Sequence, residues 1–376
     1  VIFVSRLLAK CLEGVKTPFL EHKILINNFS TIPEGCYQPE ELDKLVPDIS
    51  LNNTTPLPEV SIEEEDIASI IYTSGTTGFS KGVVLTHKNL VWDARQCHTI
   101  QPVDETYRFL SILPMAHTYE NTLGLLLPLM FGAQVDRVPT PKLLVPAMQK
   151  IRPTVVLSVP LIIEKIYKSQ VLPKFTSSKL MSKLYQFAPA RKLFNRLAGK
   201  KLMETFGGEL KFFGIGGSKL DGTVEQFLRE AKFPYAIGYG LTETAPMAAG
   251  SNPSQTFLQG VGPVMEGVQI KINDPDKSGQ GEIWIKGPNV MKGYYKRPEL
   301  TAETFTEDGW FKTGDLGSFD KKNRLAIRGR IKTMILGASG ENIYPEEIES
   351  IINNFRFVNE SLVVENSGKL VAMVHF

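Results

Sequence analysis

Four short apolar runs most constrain this chain: "YRFLSILP" from Tyr107, "VVLSVP" from Val155, "LKFFGIGG" from Leu210 and "YAIGYG" from Tyr235. Each closes on Gly or Pro, and stretches at helical spacing, such as "GTVEQFLREA" from Gly222, separate most of them. Unbroken β-type apolar runs belong to strands covered on both faces, and their alternation with helices predicts a doubly wound, mostly parallel α/β sheet. Ligands of such sheets bind beyond the carboxyl ends of the strands. The Gly-rich loop that follows "DIASIIYTSG" and the segment "GIGGS" from Gly214 are both expected at such ends.

The 376 residues exceed what one core usually holds, so more than one domain is expected. Lys and Arg (42) nearly balance Asp and Glu (40), which leaves no basic field for nucleic acid. Cys11, Cys36 and Cys97 lack metal-ligand spacing and read as reduced thiols of a cytoplasmic protein. The longest apolar stretch, "LGLLLPLMFGAQV" from Leu123, is too short to span a bilayer and reads as core.

Ahead of the Gly-rich loop, "VIFVS" and "HKILI" read as strands flanking a helix-like stretch, and residues 30–60 as a surface connection with a short helix near Glu40. "GVVLTH" reads as a strand after the Gly-rich loop, with Thr86 as the N-cap of a helix starting near His87. Beyond Pro253 the texture changes to short alternating strands ("VQIKIND", "GEIWIKG", "GWFKTGDLGSFD", "NRLAIRGR") joined by Gly, Pro and Asp, which predicts an antiparallel β subdomain over about 254–331. "YPEEIESIINN" reads as a helix with Pro345 at its first position, and the last stretch as a hairpin turning at Asn366–Gly368.

"IIYTSGTTGFSKG" packs three glycines, five Ser/Thr and one lysine behind an apolar run. A Walker A loop needs G-x-x-x-x-G-K-[ST]; five residues after Gly75 stands Ser80, and Gly82 follows Lys81, so that reading fails. The elements of a phosphate site remain: glycines that let N–H groups turn inward, hydroxyl donors and a mobile cation.

This stretch resembles the phosphate-loop signature of the acyl-adenylate-forming, AMP-binding synthetases. "GYGLTET" from Gly238, "GWFKTGDLG" from Gly309 and "GRIKTMILGASGENIYPEEIE" from Gly329 resemble further motifs of that family, in the same order. The resemblance implies an enzyme that joins a carboxylic acid to the α-phosphate of ATP, releases pyrophosphate, and passes the acyl group to a thiol. It implies that Thr73, Ser74, Gly75, Thr76, Thr77, Gly78 and Lys81 surround the β- and γ-phosphates, that Thr242 contacts the α-phosphate and that Glu243 holds Mg²⁺. By the same resemblance Asp315 receives the ribose hydroxyls, Arg330 adds bonds to ribose and phosphate, and Gly216, Gly217, Ser218, Tyr239 and Gly240 wall the adenine. His117 in "LPMAHTYE" would stand at the mouth of the acyl site, Lys332 at an interdomain pivot, and Ser339 and Gly340 along the path of the CoA arm. Taken alone, without the resemblance, His117 reads as a structural histidine and Lys332 as a solvated lysine.

The expected layout is residues 1–331 as a large domain, incomplete at its start, and 332–376 as the beginning of a small mobile α+β domain. The family's adenylation lysine has no counterpart in the 44 residues after Lys332, which implies a shortened chain that adenylates poorly. "ILPMAHTYENTLG" and the connection Tyr185–Leu220 resemble the long-chain fatty-acid–CoA ligases. That connection mixes Lys and Arg with Phe and Leu at helical spacing, so peripheral contact with a membrane stays open beside a solvated helix. A homodimer, a ligase of the same fold with another acid or acceptor (a carrier-protein ligase or a peptide-synthetase adenylation domain) and a silent adenylate-binding module also stay open.

Overall fold

The computed structural model describes all residues except 1, 7, 16–19, 21, 27–29, 46–59, 74–79, 139–142, 177, 337–341, 354, 356 and 367. Two compact units divide at Ile62 and Glu63. In the first, strands β1 (Ile2–Val4) and β2 (Lys23–Leu25) pair in parallel, and helix α1 (Pro39–Leu42) follows. Val4, Ala9, Leu12, Leu25, Ile32, Tyr37 and Leu42 form its small core.

The second unit contains the expected sheet. Strands β5 (Arg108–Ser111), β6 (Gln134–Arg137), β7 (Val155–Ser158), β8 (Phe212–Ile215) and β9 (Tyr235–Gly240) are parallel, and β10 (Met247–Gly250) closes the edge antiparallel to β9. The order is β10-β9-β8-β7-β5-β6. The chain's direction across the sheet therefore reverses between β5 and β7, which opens a crevice at their carboxyl ends. Alternate residues feed two cores: Phe109, Val155 and Leu157 on one face, Leu110, Val156 and Phe213 on the other. Helices α2 (His87–Ile100), α3 (Leu127–Met130), α4 (Leu144–Ile151), α5 (Pro160–Ile166), α6 (Leu172–Thr176), α7 (Lys179–Gln186), α8 (Ala188–Thr205) and α9 (Gly222–Glu230) cover this sheet or extend beside it. The apolar run at Leu123 is helical, winding as wide π turns over Glu120–Leu126 before α3, with Leu123 and Leu127 buried.

One expectation is corrected. The strands flanking the Gly-rich loop, β3 (Ile67–Thr73) and β4 (Lys81–Thr86), are antiparallel, with Thr73 opposite Lys81, in a three-stranded sheet of their own. The connection explains why: residues 74–80 are too few for a parallel crossover, which takes a dozen or more. The third strand is β13 (Gly293–Tyr294), paired with β4 and followed by α10 (Pro298–Thr304). The antiparallel subdomain is present as β11 (Gln269–Asn273), β12 (Gly281–Lys286), β14 (Phe311–Phe319) and β15 (Leu325–Arg330). After it come the short pair β16 (Ile335–Leu336) and β17 (Asn342–Ile343), helix α11 (Pro345–Ile352), and the hairpin β18 (Glu360–Asn366) and β19 (Lys369–His375).

Candidate functional site

A cavity of about 670 Å³ lies across the carboxyl ends of the parallel strands. It gathers residues from all three larger sheets: Thr73 and Lys81 from the hairpin, Gly240, Thr242 and Glu243 from the end of β9, and Arg330 from β15. His117, Gly216, Gly217 and, at the exposed rim, Lys332 complete the expected set there. A second cavity of about 430 Å³ shares Gly217, Gly240 and Arg330 with it and adds Ser218, Tyr239 and Asp315. Every expected site residue that the structure describes thus lines one of two adjoining cavities. Ser74, Gly75, Thr76, Thr77, Gly78, Ser339 and Gly340 lie outside the described residues.

Close approach dictates one of the wall glycines and backbone conformation another. A Cβ on Gly240 would sit 1.7 Å from the Pro246 carbonyl oxygen, so only Gly lets β9 run this close to the turn that follows it. Gly217 turns at φ +91°, a conformation that costs other residues a Cβ clash.

The turn after β9 holds Thr242 and Glu243. Leu241 N–H donates to Thr244 Oγ1 at 2.8 Å, the Thr244 hydroxyl donates to the Pro246 carbonyl at 2.6 Å, and Met291 N–H donates to the Glu243 carbonyl at 2.9 Å. The Tyr294 hydroxyl donates to Glu243 Oε1 at 2.8 Å, and Lys81 Nζ stands 3.4 Å from that hydroxyl and 4.7 Å from the ring centroid. Burial and the neighbouring Glu243 carboxylate push the Tyr294 phenol well above its ordinary range, so it stays a donor. Tyr294 is a site residue the motifs did not reveal. It lies in a two-residue strand whose partner β4 is over two hundred residues away, and no local pattern announces it.

Asp315 and Arg330 face each other across β14 and β15. The Tyr239 hydroxyl donates to Asp315 Oδ2 at 2.8 Å, and Arg330 Nε lies 3.0 Å from Oδ1. Asp315 is only 4% exposed; burial raises its pKa, with Arg330 and Tyr239 pulling the other way. Each carboxylate oxygen keeps acceptor capacity beyond these bonds, since the group offers about four lone-pair sites. Tyr239, expected as a stacking wall, is fixed by its hydroxyl, and its ring borders the second cavity.

His117 Nδ1 accepts from Tyr119 N–H at 3.2 Å, which assigns the proton of the neutral ring to Nε2. Partial burial lowers its pKa and keeps it neutral. Tyr119 divides the large cavity from a narrow apolar slot of about 60 Å³ walled by Phe109, Leu123, Leu127, Val155 and Leu157, with Cys97 and Ile100 farther along α2. Met247 and Gly238 line both spaces. No sequence signal named these walls, because they come from six separate segments.

This fold, with a hydroxyl- and lysine-bearing cavity at the strand ends, is that of an AMP-binding enzyme. The family model described as "AMP-binding enzyme" matches residues 1–295, and the chain belongs to that family. It is 32% identical over 336 residues to long chain acyl-CoA synthetase 6, peroxisomal, of Arabidopsis thaliana, covering 82% of this chain and 48% of that protein. It is 30% identical over 377 residues to the Arabidopsis long-chain-fatty-acid–[acyl-carrier-protein] ligase AEE15, chloroplastic, covering 83% of this chain and 51% of the relative. The chain spans about half the length of these relatives. Its fold is similar to ATP-bound MatB from Rhodopseudomonas palustris, with a TM-score of 0.71 and 25% identity over 94% of this chain and 64% of that one.

Proposed function

We propose that the protein activates a long-chain fatty acid with ATP and transfers the acyl group to CoA. One carboxylate oxygen of the acid attacks the α-phosphorus, the bond to the β-phosphate bridging oxygen breaks, and pyrophosphate leaves. The CoA thiol gives up its proton to solvent and its sulfur attacks the carbonyl; a C–S bond forms, the C–O bond to AMP breaks, and AMP leaves with that oxygen on its phosphate. Positioning and charge neutralisation dominate such chemistry. Lys81, with the loop residues Ser74–Gly78, neutralises the leaving phosphates; Thr242 donates to the α-phosphate; Asp315 and Arg330 hold the ribose; Gly216, Gly217, Ser218, Tyr239 and Gly240 bound the base. Glu243 is the residue that would hold Mg²⁺, and a single carboxylate with spare acceptor capacity suits a cation that takes most of its ligands from phosphate and water. That ion would add charge neutralisation along the phosphate chain.

His117, neutral and beside Tyr119, sits where the polar cavity meets the apolar slot, which suits the junction of carboxylate and alkyl chain. A slot of about 60 Å³ is smaller than the roughly 150 Å³ that holds benzene, so a long chain must displace wall side chains, flexible Met247 first. Residues 1–331 act as the adenylate-binding domain and 332–376 begin a mobile domain that swings about Lys332, with Gly340 beside the acceptor's arm. A carrier-protein thiol is the second acceptor to test, given the relative named for it.

The convergence of the described site residues on two adjoining cavities carries this reading. Calorimetric titration with acyl-sulfamoyl adenosines, acetyl to stearoyl, tests it. Affinity should rise with chain length and fall in Asp315→Ala by about 10- to 100-fold, the worth of charge-assisted hydrogen bonds. Affinity independent of both the acyl chain and Asp315 would reject it.

A further inference from the structure

Helix α8 presents an outward face that nothing in the fold explains. Its inward side is anchored: Arg191 pairs with Glu230 at 2.9 Å, Asn195 Nδ2 donates to Glu230 Oε2 at 2.7 Å, the Tyr185 hydroxyl donates to Asn195 Oδ1 at 2.8 Å, and Gly199 packs on Ala231. These contacts fix the rotation of the helix about its axis. Outward, at spacings of three and four, stand Lys192, Leu193, Arg196, Leu197 and Lys200. Leu193 is 58% and Leu197 54% exposed, and Phe187, just before the helix, is 64% exposed. Leu180, Lys183 and Leu184 repeat the pattern on α7.

From Lys179 to Thr205 seven Lys and Arg face a single acid, Glu204. Lys183, Lys192, Arg196 and Lys200 make no ion pair among the described residues. A shallow groove of about 550 Å³ beside α8 adds Arg229 and Lys232 to Lys192 and Arg196.

We infer that the outward face of α7 and α8 docks on an anionic lipid bilayer. Leucines and a phenylalanine set among unpaired cations are the composition of an interfacial helix: the apolar side chains enter the acyl boundary while Lys and Arg reach back to headgroup phosphates. Charge complementarity selects this occupant. A second copy would bring the same predominantly basic face and be repelled, and scattered apolar contact alone does not account for the cations. The inference goes beyond the proposed reaction and does not depend on it.

Vesicle flotation of the whole chain tests it, with phosphatidylcholine alone and with an equal share of phosphatidylglycerol. The protein should float with the anionic vesicles only, and be released at about 1 M salt, where the screening length falls to about 3 Å. Each cation near such a surface is worth roughly fivefold in affinity, so the double variant Lys192→Gln, Arg196→Gln should bind roughly thirtyfold more weakly. Leu193→Ser with Leu197→Ser should cost roughly tenfold or more at unchanged charge. Both variants alter exposed side chains, and both should bind acyl-sulfamoyl adenosine as the parent does, which separates this inference from the proposed reaction. Equal flotation of parent and variants, or no preference for anionic vesicles, would overturn it. So would self-association that disappears in the leucine variant while vesicles are ignored, which would assign the face to a second copy.

Discussion

Two carboxyl groups buried close to the site show how environment sets protonation. Asp93, fully buried on α2, accepts from Met247 N–H at 3.2 Å, so its burial serves to hold the strand that borders the apolar slot. Glu120, 1% exposed, has no hydrogen-bond partner for either carboxylate oxygen among the described residues. Gly124 leaves room for it: a Cβ there would lie 2.7 Å from the carboxyl carbon. Desolvation raises the Glu120 pKa above its ordinary 4.5, outweighing the opposing charge of Arg137. Between 4.5 and the raised value the folded state binds more protons than the unfolded chain. This group therefore favours folding below that window, and its contribution is lost as pH rises through it. Glu120→Gln removes the titration. Other carboxyls still titrate in the variant, so the readout is the difference: the parent's urea midpoint should fall relative to the variant's as pH rises through this window, and the gap should widen from about pH 4 to neutrality. A constant difference over that range would mean that Glu120 is ionised in the fold.

At the level of elements, the start of α2 shows what local sequence can and cannot reveal. Thr86 Oγ1 accepts from Asn89 N–H at 3.2 Å and Asn89 Oδ1 from Thr86 N–H at 2.9 Å, a reciprocal cap legible from spacing alone because all its atoms lie within three residues. The Asn89 Nδ2 group reaches much farther, donating to the carbonyls of Pro288 at 2.7 Å and Val290 at 3.0 Å. Those bonds hold the approach to β13, and hence Tyr294, beside Lys81. Thr86→Ala should cost about 1 kcal/mol. Asn89→Ala orphans two carbonyls as well and should cost about 1–3 kcal/mol more, with weaker acyl-adenosine binding; denaturant midpoints and calorimetry on the two variants check the order. The same division of near and far explains the rest. The parallel strands, the antiparallel subdomain and the Asp315 motif announce themselves through runs and turns. The pairing of β3 with β4 is set by a short connection, which loop length would have revealed. β6, "QVDR", carries no apolar run and β13 has only two residues, so neither announces itself, and Tyr294 is placed by a contact across the fold.

Across the unit Glu63–Phe376, the site is a seam between sheets. Thr73, Lys81 and Tyr294 come from the hairpin sheet, Gly238 to Glu243 from the parallel sheet and its following turn, and Gly314, Asp315 and Arg330 from the antiparallel sheet. The first and third sheets each place polar side chains in the seam while their apolar faces join one continuous core, in which Val83, Phe109, Tyr239, Ile283 and Phe311 all take part. A ligand that touches all three is thermodynamically linked to the unfolding of the whole unit, because no sheet can leave without breaking the site. At a hundred times its dissociation constant such a ligand adds about 2.7 kcal/mol, which for a unit of this size corresponds to roughly 5 °C in Tm. Scanning calorimetry with saturating palmitoyl-sulfamoyl adenosine should therefore shift the unit's transition upward as one peak. Asp315→Ala should reduce the shift at fixed ligand by weakening binding, and a chain-truncated acetyl analogue should give less because it leaves the apolar slot closed. A transition that splits, with only part of it moving, would mean that the three sheets unfold separately and that the ligand clamps fewer than three.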